Sequence, residues 1–182
     1  MLRGYVKLLA VAVLPVVLLG VGMSAGTALA APSRRSMDVN DRVRHELLML
    51  PFYGVFDDLT FRVEDGNTVV LAGQVTNPVL KSGAEAAAHR VEGIAKVVND
   101  IEVLPLSPVD DSIRLATYRA IFSRPGFENY AIQAVSPIRI IVKNGEVTLE
   151  GVVATQLDKQ VAEMAARGVP LTFGVTNNLR VG

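Results

Sequence analysis

Val63-Glu64-Asp65-Gly66-Asn67-Thr68-Val69-Val70-Leu71-Ala72-Gly73-Gln74-Val75 and Ile141-Val142-Lys143-Asn144-Gly145-Glu146-Val147-Thr148-Leu149-Glu150-Gly151-Val152-Val153 are two versions of one pattern. At an offset of 78, Val69 meets Val147, Leu71 meets Leu149, Gly73 meets Gly151 and Val75 meets Val153. The same offset carries Ala87 onto Ala165, Val91 onto Val169, Asn99 onto Asn177, Ile101 onto Leu179 and Val103 onto Val181. Upstream the offset changes to 70, where Asp41-Arg42-Val43-Arg44 meets Asp111-Ser112-Ile113-Arg114, so the second copy carries eight extra residues between its first helix and its first strand. Self-similarity at a fixed offset marks one supersecondary unit used twice.

Each copy reads as helix, strand, strand, helix, strand. The first helix starts near Asn40 or Asp41, good N-cap residues, and sets Val39, Val43 and Leu47 on one face. Its counterpart starts at Asp110-Asp111-Ser112, with Ile113, Thr117 and Ala120 following. Two β-rich runs then flank Asp65-Gly66-Asn67 or Lys143-Asn144-Gly145, residues that tolerate the positive φ of a tight hairpin. Gly73 and Gly151, inside the second strand, predict a bulge or a close backbone approach. In the second helix Leu157, Val161, Met164 and Ala165 form an i, i+4, i+7, i+8 stripe. The matching Val79, Gly83, Ala86 and Ala87 are smaller, which predicts closer packing in the first copy. The last strand runs over 97–103 or 175–181. Asn99 and Asn177 interrupt its apolar face and are expected to bond backbone at the sheet edge. The fold expected is α+β: two tandem αββαβ modules, each a three-stranded sheet with two helices on one face. The modules are assigned to 38–104 and 110–182, joined by a proline-stiffened linker at 105–109.

Residues 1–30 have the layout of a secretory signal peptide: Arg3 and Lys7 in front, an uncharged aliphatic run over 8–21, and the small-x-small site Ala28-Leu29-Ala30. Cleavage after Ala30 leaves Ala31 first and makes the mature chain an exported protein. The competing reading is an uncleaved inner-membrane anchor, since the apolar stretch nears the ~20 residues that span a bilayer. Gly20, Gly22, Ser24, Gly26 and Thr27 dilute its second half. The absence of cysteine removes both a lipoprotein attachment site and a disulfide framework. Eighteen basic residues balance eighteen acidic ones, which argues against a nucleic-acid binder. Aromatics make up 5% of the chain and Trp is absent, so the core is aliphatic.

The helix opening with Asp, the V-x-L-x-G-x-V hairpin, the Ala-rich helix and the V-x-N-x-I/L-x-V strand together resemble the BON domain. The first copy includes Gly93-Ile94 before its last strand; the second has Leu171-Thr172 there, with Gly168 upstream. The resemblance spans about residues 38–182 and implies a periplasmic or cell-envelope protein, as in dual-BON proteins linked to osmotic shock and outer-membrane integrity. It further implies a phospholipid- or envelope-binding module without catalytic activity, and carries over no catalytic motif.

The residues themselves offer little chemistry. His45 and His89 have no second His or Cys at ligand spacing, so no metal or other cofactor is expected. Asp110-Asp111 is accounted for by helix capping and Asp57-Asp58 by the turn before a strand. No nucleophile elbow, phosphate loop or dinucleotide fingerprint occurs. Two segments stand out. Leu47-Leu48-Met49-Leu50-Pro51-Phe52-Tyr53-Gly54-Val55-Phe56 is apolar beyond the needs of one helix face, and Phe52, Tyr53 and Phe56 lie in it. The insert-bearing segment 118–130 holds Phe122, Arg124, Phe127 and Tyr130. Aromatic and basic residues on an exposed loop suit a lipid headgroup boundary; alternatively, both segments cover the open sheet or bury the contact between the copies. The expected partners are therefore a phospholipid surface or envelope proteins. A soluble stress protein that binds apolar segments of other proteins is the alternative, and a tether that pairs an edge strand such as 97–103 with a larger assembly is a third.

Overall fold

The computed structural model describes residues 38–64 and 67–182. The expected signal peptide, with Ala28, Ala30 and Ala31, lies outside them, as do Asp65 and Gly66 of the first turn. Helix α1 (Val39–Leu48) leads into strands β1 (Asp58–Glu64) and β2 (Thr68–Val75), helix α2 (Pro78–His89), and strands β3 (Lys96–Asn99) and β4 (Glu102–Val103). The second module repeats this as α3 (Pro108–Phe122), a short α4 (Glu128–Ala131), β5 (Ile138–Lys143), β6 (Glu146–Val153), α5 (Gln156–Arg167), β7 (Gly174–Asn177) and β8 (Arg180–Val181).

In each module the central strand pairs antiparallel with the one before it and parallel with the one after the helix. The expected last strand is split into two pieces that both pair with the central strand. The asparagines cause the break. Asn99 donates Nδ2 to the Lys81 carbonyl at 2.9 Å, and its Oδ1 accepts from the Ile101 amide. Asn177 repeats both bonds with Lys159 and Leu179. The expected backbone role of both amides is therefore met, while the strand itself is interrupted.

Gly73 and Gly151 bring the strands together at their outer ends. Both have φ near +115 (+114 and +119), and an added Cβ would lie 2.1 Å from the Asp58 carbonyl oxygen and 2.0 Å from that of Pro137. The first strands do not follow the sequence offset of 78. Phe61 faces Leu71 and Ile140 faces Leu149, so β1 and β5 correspond at 79. Three residues separate the Glu64–Thr68 pair, but only Asn144 and Gly145 separate Lys143 from Glu146.

Val43 and Leu47 of α1, Leu80, Ala84 and Ala88 of α2, and Val69, Leu71 and Val75 of β2 share one core. Ile113 and Ile121 of α3, Ala162, Ala165 and Ala166 of α5, and Val147, Leu149 and Val153 of β6 form the other. The expected α5 stripe holds in part: Ala165 is buried and Val161 packs against this core. Leu157 and Met164 are exposed, and the helix meets the sheet through alanines. Small side chains let the helix axis approach the sheet, which swings the longer ones to its flanks. Alanines also make up most of the buried face of α2.

Helix starts differ from expectation too. Asp38 is the N-cap of α1, without a side-chain cap bond. Ser107 caps α3 and accepts from the Asp110 amide at 3.1 Å, with Pro108 in the first turn. Pro108 and Val109, read in the sequence as linker, thus begin a helix. Asp110 is freed from capping and buried. It accepts from the Asn144 and Gly145 amides at 3.0 and 2.8 Å, holding the β5–β6 turn. At the position of Gly93 (φ +95), Leu171 adopts φ +68. The departure from the repeat thus keeps the left-handed backbone without the glycine that favours it.

Candidate functional site

The segment after α1 is fixed by one buried carboxylate. Asp57 accepts from the Gly54 amide at 3.0 Å and from the Thr76 amide and hydroxyl at 2.8 and 2.9 Å. This ties the segment to the end of β2 and aims residues 53–56 at the second module. There the Ile140 amide donates to the Val55 carbonyl at 2.9 Å, so Val55 caps the outer edge of β5. Buried Arg139 donates to the Gly54 carbonyl at 2.8 Å, and its guanidinium lies 4.5 Å from the centre of the Tyr53 ring. Phe56 meets Tyr118 edge-on at 6.3 Å and packs against the second core. Further along the seam, Lys143 and Glu102 pair at 2.5 Å, and Gln74 donates to the same carboxylate at 2.7 Å.

Electrostatics along this seam follow from burial. Tyr53's hydroxyl is pushed above its ordinary range by burial, against the pull of Arg139. Bonds from Gln74 and Lys143 hold the Glu102 carboxyl below its ordinary range. The Asp58 carboxyl is raised, first by burial and then by the charge of Glu150, with Arg139 opposing. A carboxyl raised in the fold contributes stability that is complete below the ordinary value of 3.8 and is lost as pH rises through the folded value. Asp58→Asn is therefore expected to exceed the parent in stability at neutral pH, by less than ~1 kcal/mol given the partial exposure. The advantage should shrink on acidification. Urea unfolding at several pH values tests this, and a pH-independent difference would contradict it.

The residues singled out in the sequence separate into two groups. Phe122 and Phe127 are 9% and 2% exposed and belong to the second core. Phe127 and Tyr130 meet at 5.4 Å between ring centres. Tyr130's hydroxyl donates to Asp158 at 2.9 Å and accepts from the Ala154 amide at 2.8 Å. The insert is thus a lid over its own core, latched to the start of α5, and not the exposed aromatic–basic loop expected. Arg124 alone of that group stays in solvent. In the first segment, Tyr53 and Phe56 are half-buried in the seam. Phe52 is 75% exposed at φ +69, and Met49, earlier in the same segment, is 69% exposed.

Beside the seam a groove of about 360 Å³ runs between α1 and the outer edge of β1, walled by Leu48, Leu59 and Phe61 and rimmed by Arg44 and Arg180. Neither this groove nor Arg139 was anticipated. The one available signal was Arg139 itself, a lone charge inside the apolar run Ile138-Arg139-Ile140-Ile141-Val142. His45 and His89 are exposed on their helices. Among the described residues no three His, Cys, Asp or Glu side chains gather in metal-binding range, and no helix is long and apolar enough to cross a membrane.

The BON domain model matches residues 39–105 and 120–182, so the chain belongs to the BON domain family, in two tandem copies. No curated protein matches it. Among solved structures, the C-terminal domain of CdsD, the structural protein of the type III secretion system of Chlamydia trachomatis, is 11% identical. That alignment covers 80% of this chain and 98% of the other, at a TM-score of 0.29. A second CdsD structure is 12% identical over 80% of this chain and 94% of the other, at 0.30.

Proposed function

We propose that the chain is a non-catalytic binding protein of the cell envelope, exported to the periplasm, that contacts phospholipid or a membrane-proximal partner through the exposed apolar side chains of Met49 and Phe52. BON membership and the signal-like N-terminus support the compartment. The buried carboxylates Asp57 and Asp110 accept backbone amides and serve as struts, which supports a binding role over a catalytic one.

Phe52 carries the reading. A left-handed backbone costs an L residue about 1–2 kcal/mol, and here it presents a phenyl ring to solvent. Strain that the fold does not relieve and an apolar ring that it does not bury point outward, to a ligand. Arg44 and Arg180 at the nearby groove supply the cationic partners a headgroup phosphate requires.

The test is co-sedimentation of the protein with anionic vesicles at low salt. The parent should bind, and Phe52→Gly, which relieves the backbone while removing the ring, should bind several-fold less at undiminished stability. Failure of the parent to bind rejects lipid. Suppression of a client protein's aggregation that is lost in Phe52→Gly would instead favour the second reading, a periplasmic stress protein for exposed apolar segments, which the same side chains also support.

A further inference from the structure

The two modules share a fold, yet among the described residues only one has its first strand's outer edge closed. In the second module that edge is covered twice: Val55 accepts from the Ile140 amide, and buried Arg114, which also pairs with Asp111, donates to the Val142 carbonyl at 2.7 Å. The equivalent positions in the first module are Phe61 and Val63. No backbone bond from another segment reaches either among the described residues. Arg44, the counterpart of Arg114, pairs with Asp41 at 3.5 Å but stays largely in solvent. Leu48 occupies the place of Tyr118, which Phe56 covers. The groove along β1 is thus the same acceptor site that the second module fills with residues 53–56 of the first. An unpaired edge beside an apolar groove is a template for another strand.

The chain also carries a free donor. At the offset of 79 that relates β1 to β5, Tyr53-Gly54-Val55-Phe56 corresponds to Ile132-Gln133-Ala134-Val135. Both segments are uncharged, with apolar side chains at the first and fourth places. Ile132 is 80% exposed and Val135 is also exposed. Among the described residues, the empty acceptor on the first module and the unused donor on the second are complementary yet make no hydrogen bond with each other within the chain. The geometry points to a second copy as the occupant: residues 132–135 of one chain lie along β1 of the next, reproducing between molecules the contact made within one. Because donor and acceptor are different surfaces of one chain, two copies can exchange them reciprocally as a closed dimer or pass them on head to tail.

Sedimentation velocity of the protein in lipid-free buffer over a wide concentration range tests this, independently of the vesicle assay. The weight-average mass of the parent should climb with concentration above that of the monomer. Ile132→Asp, on an exposed residue, should remain a monomer. Phe61→Pro should do likewise, since it removes an amide that points away from β2, a site where an edge strand tolerates proline. An equimolar mixture of the two variants should give a capped 1:1 complex, because each retains the half the other lacks. A parent that stays monomeric throughout overturns the inference, as does association that survives Ile132→Asp or a mixture that forms no complex.

Discussion

Gly73→Ala and Gly151→Ala are each expected to lower the unfolding free energy by about 3–5 kcal/mol, the range of severe single substitutions. Two costs combine. The backbone at φ +114 and +119 lies where L residues are strained by ~1–3 kcal/mol. The new methyl would also stand 2.1 or 2.0 Å from the Asp58 or Pro137 carbonyl oxygen, well inside contact distance. The offending atom is backbone of the neighbouring strand, so relief requires the sheet to part where β1 or β5 begins. Gly126→Ala separates the terms. Its φ is +91, but nothing lies within 4 Å of an added Cβ, so it should show the strain alone. Urea unfolding reads all three. A loss at Gly73 or Gly151 no larger than at Gly126 would mean that the strand separates freely.

The repeat was legible because its strongest residues do local work that each copy must repeat. The glycines permit the strand approach, the asparagines break the last strand, and the valines and leucines of β2 and β6 fill both cores. Membership in the family and the α+β architecture followed from them. What the sequence concealed lies between elements. An apolar stripe on α5 and an aromatic cluster in the insert look alike to periodicity, whether they face the core or solvent. The outcome depended on the spacing between helix and sheet, and on Tyr130 reaching the cap of α5. The N-caps slipped for a related reason: Asp110 has better partners in the β5–β6 turn, 34 and 35 residues away, than at its own helix end. Arg139 and Val55 are matched in the repeat by Thr60 and Ala134, which do not single them out, because the seam occurs once per chain while the pattern occurs twice.

Asp57→Ala is expected to cost about 3–4 kcal/mol and to uncouple the modules. The carboxylate is buried and satisfies the amides of Gly54 and Thr76 as well as the Thr76 hydroxyl. Truncation strands those donors, at roughly 1–3 kcal/mol for each one that stays buried and unpaired. The larger consequence follows from position. Among the described residues Asp57 is the only side chain that hydrogen-bonds the 53–56 segment to the end of β2, and that segment supplies the Val55 and Gly54 carbonyls that cap β5. Without it, unfolding should separate into two transitions, one per module, and the freed β5 edge should make the variant aggregate as concentration rises. Asp57→Asn, which keeps an acceptor oxygen, should fall between the two. Arg139→Ala attacks the same seam from the other side. It removes the donor to Gly54 and the cation over Tyr53 but leaves the Asp57 bonds in place. It should therefore also split the transition while leaving the first module at its parental stability. If both variants unfold in one cooperative step, the seam is not what joins the modules, and the closed edge of β5 owes its protection to something other than residues 53–56.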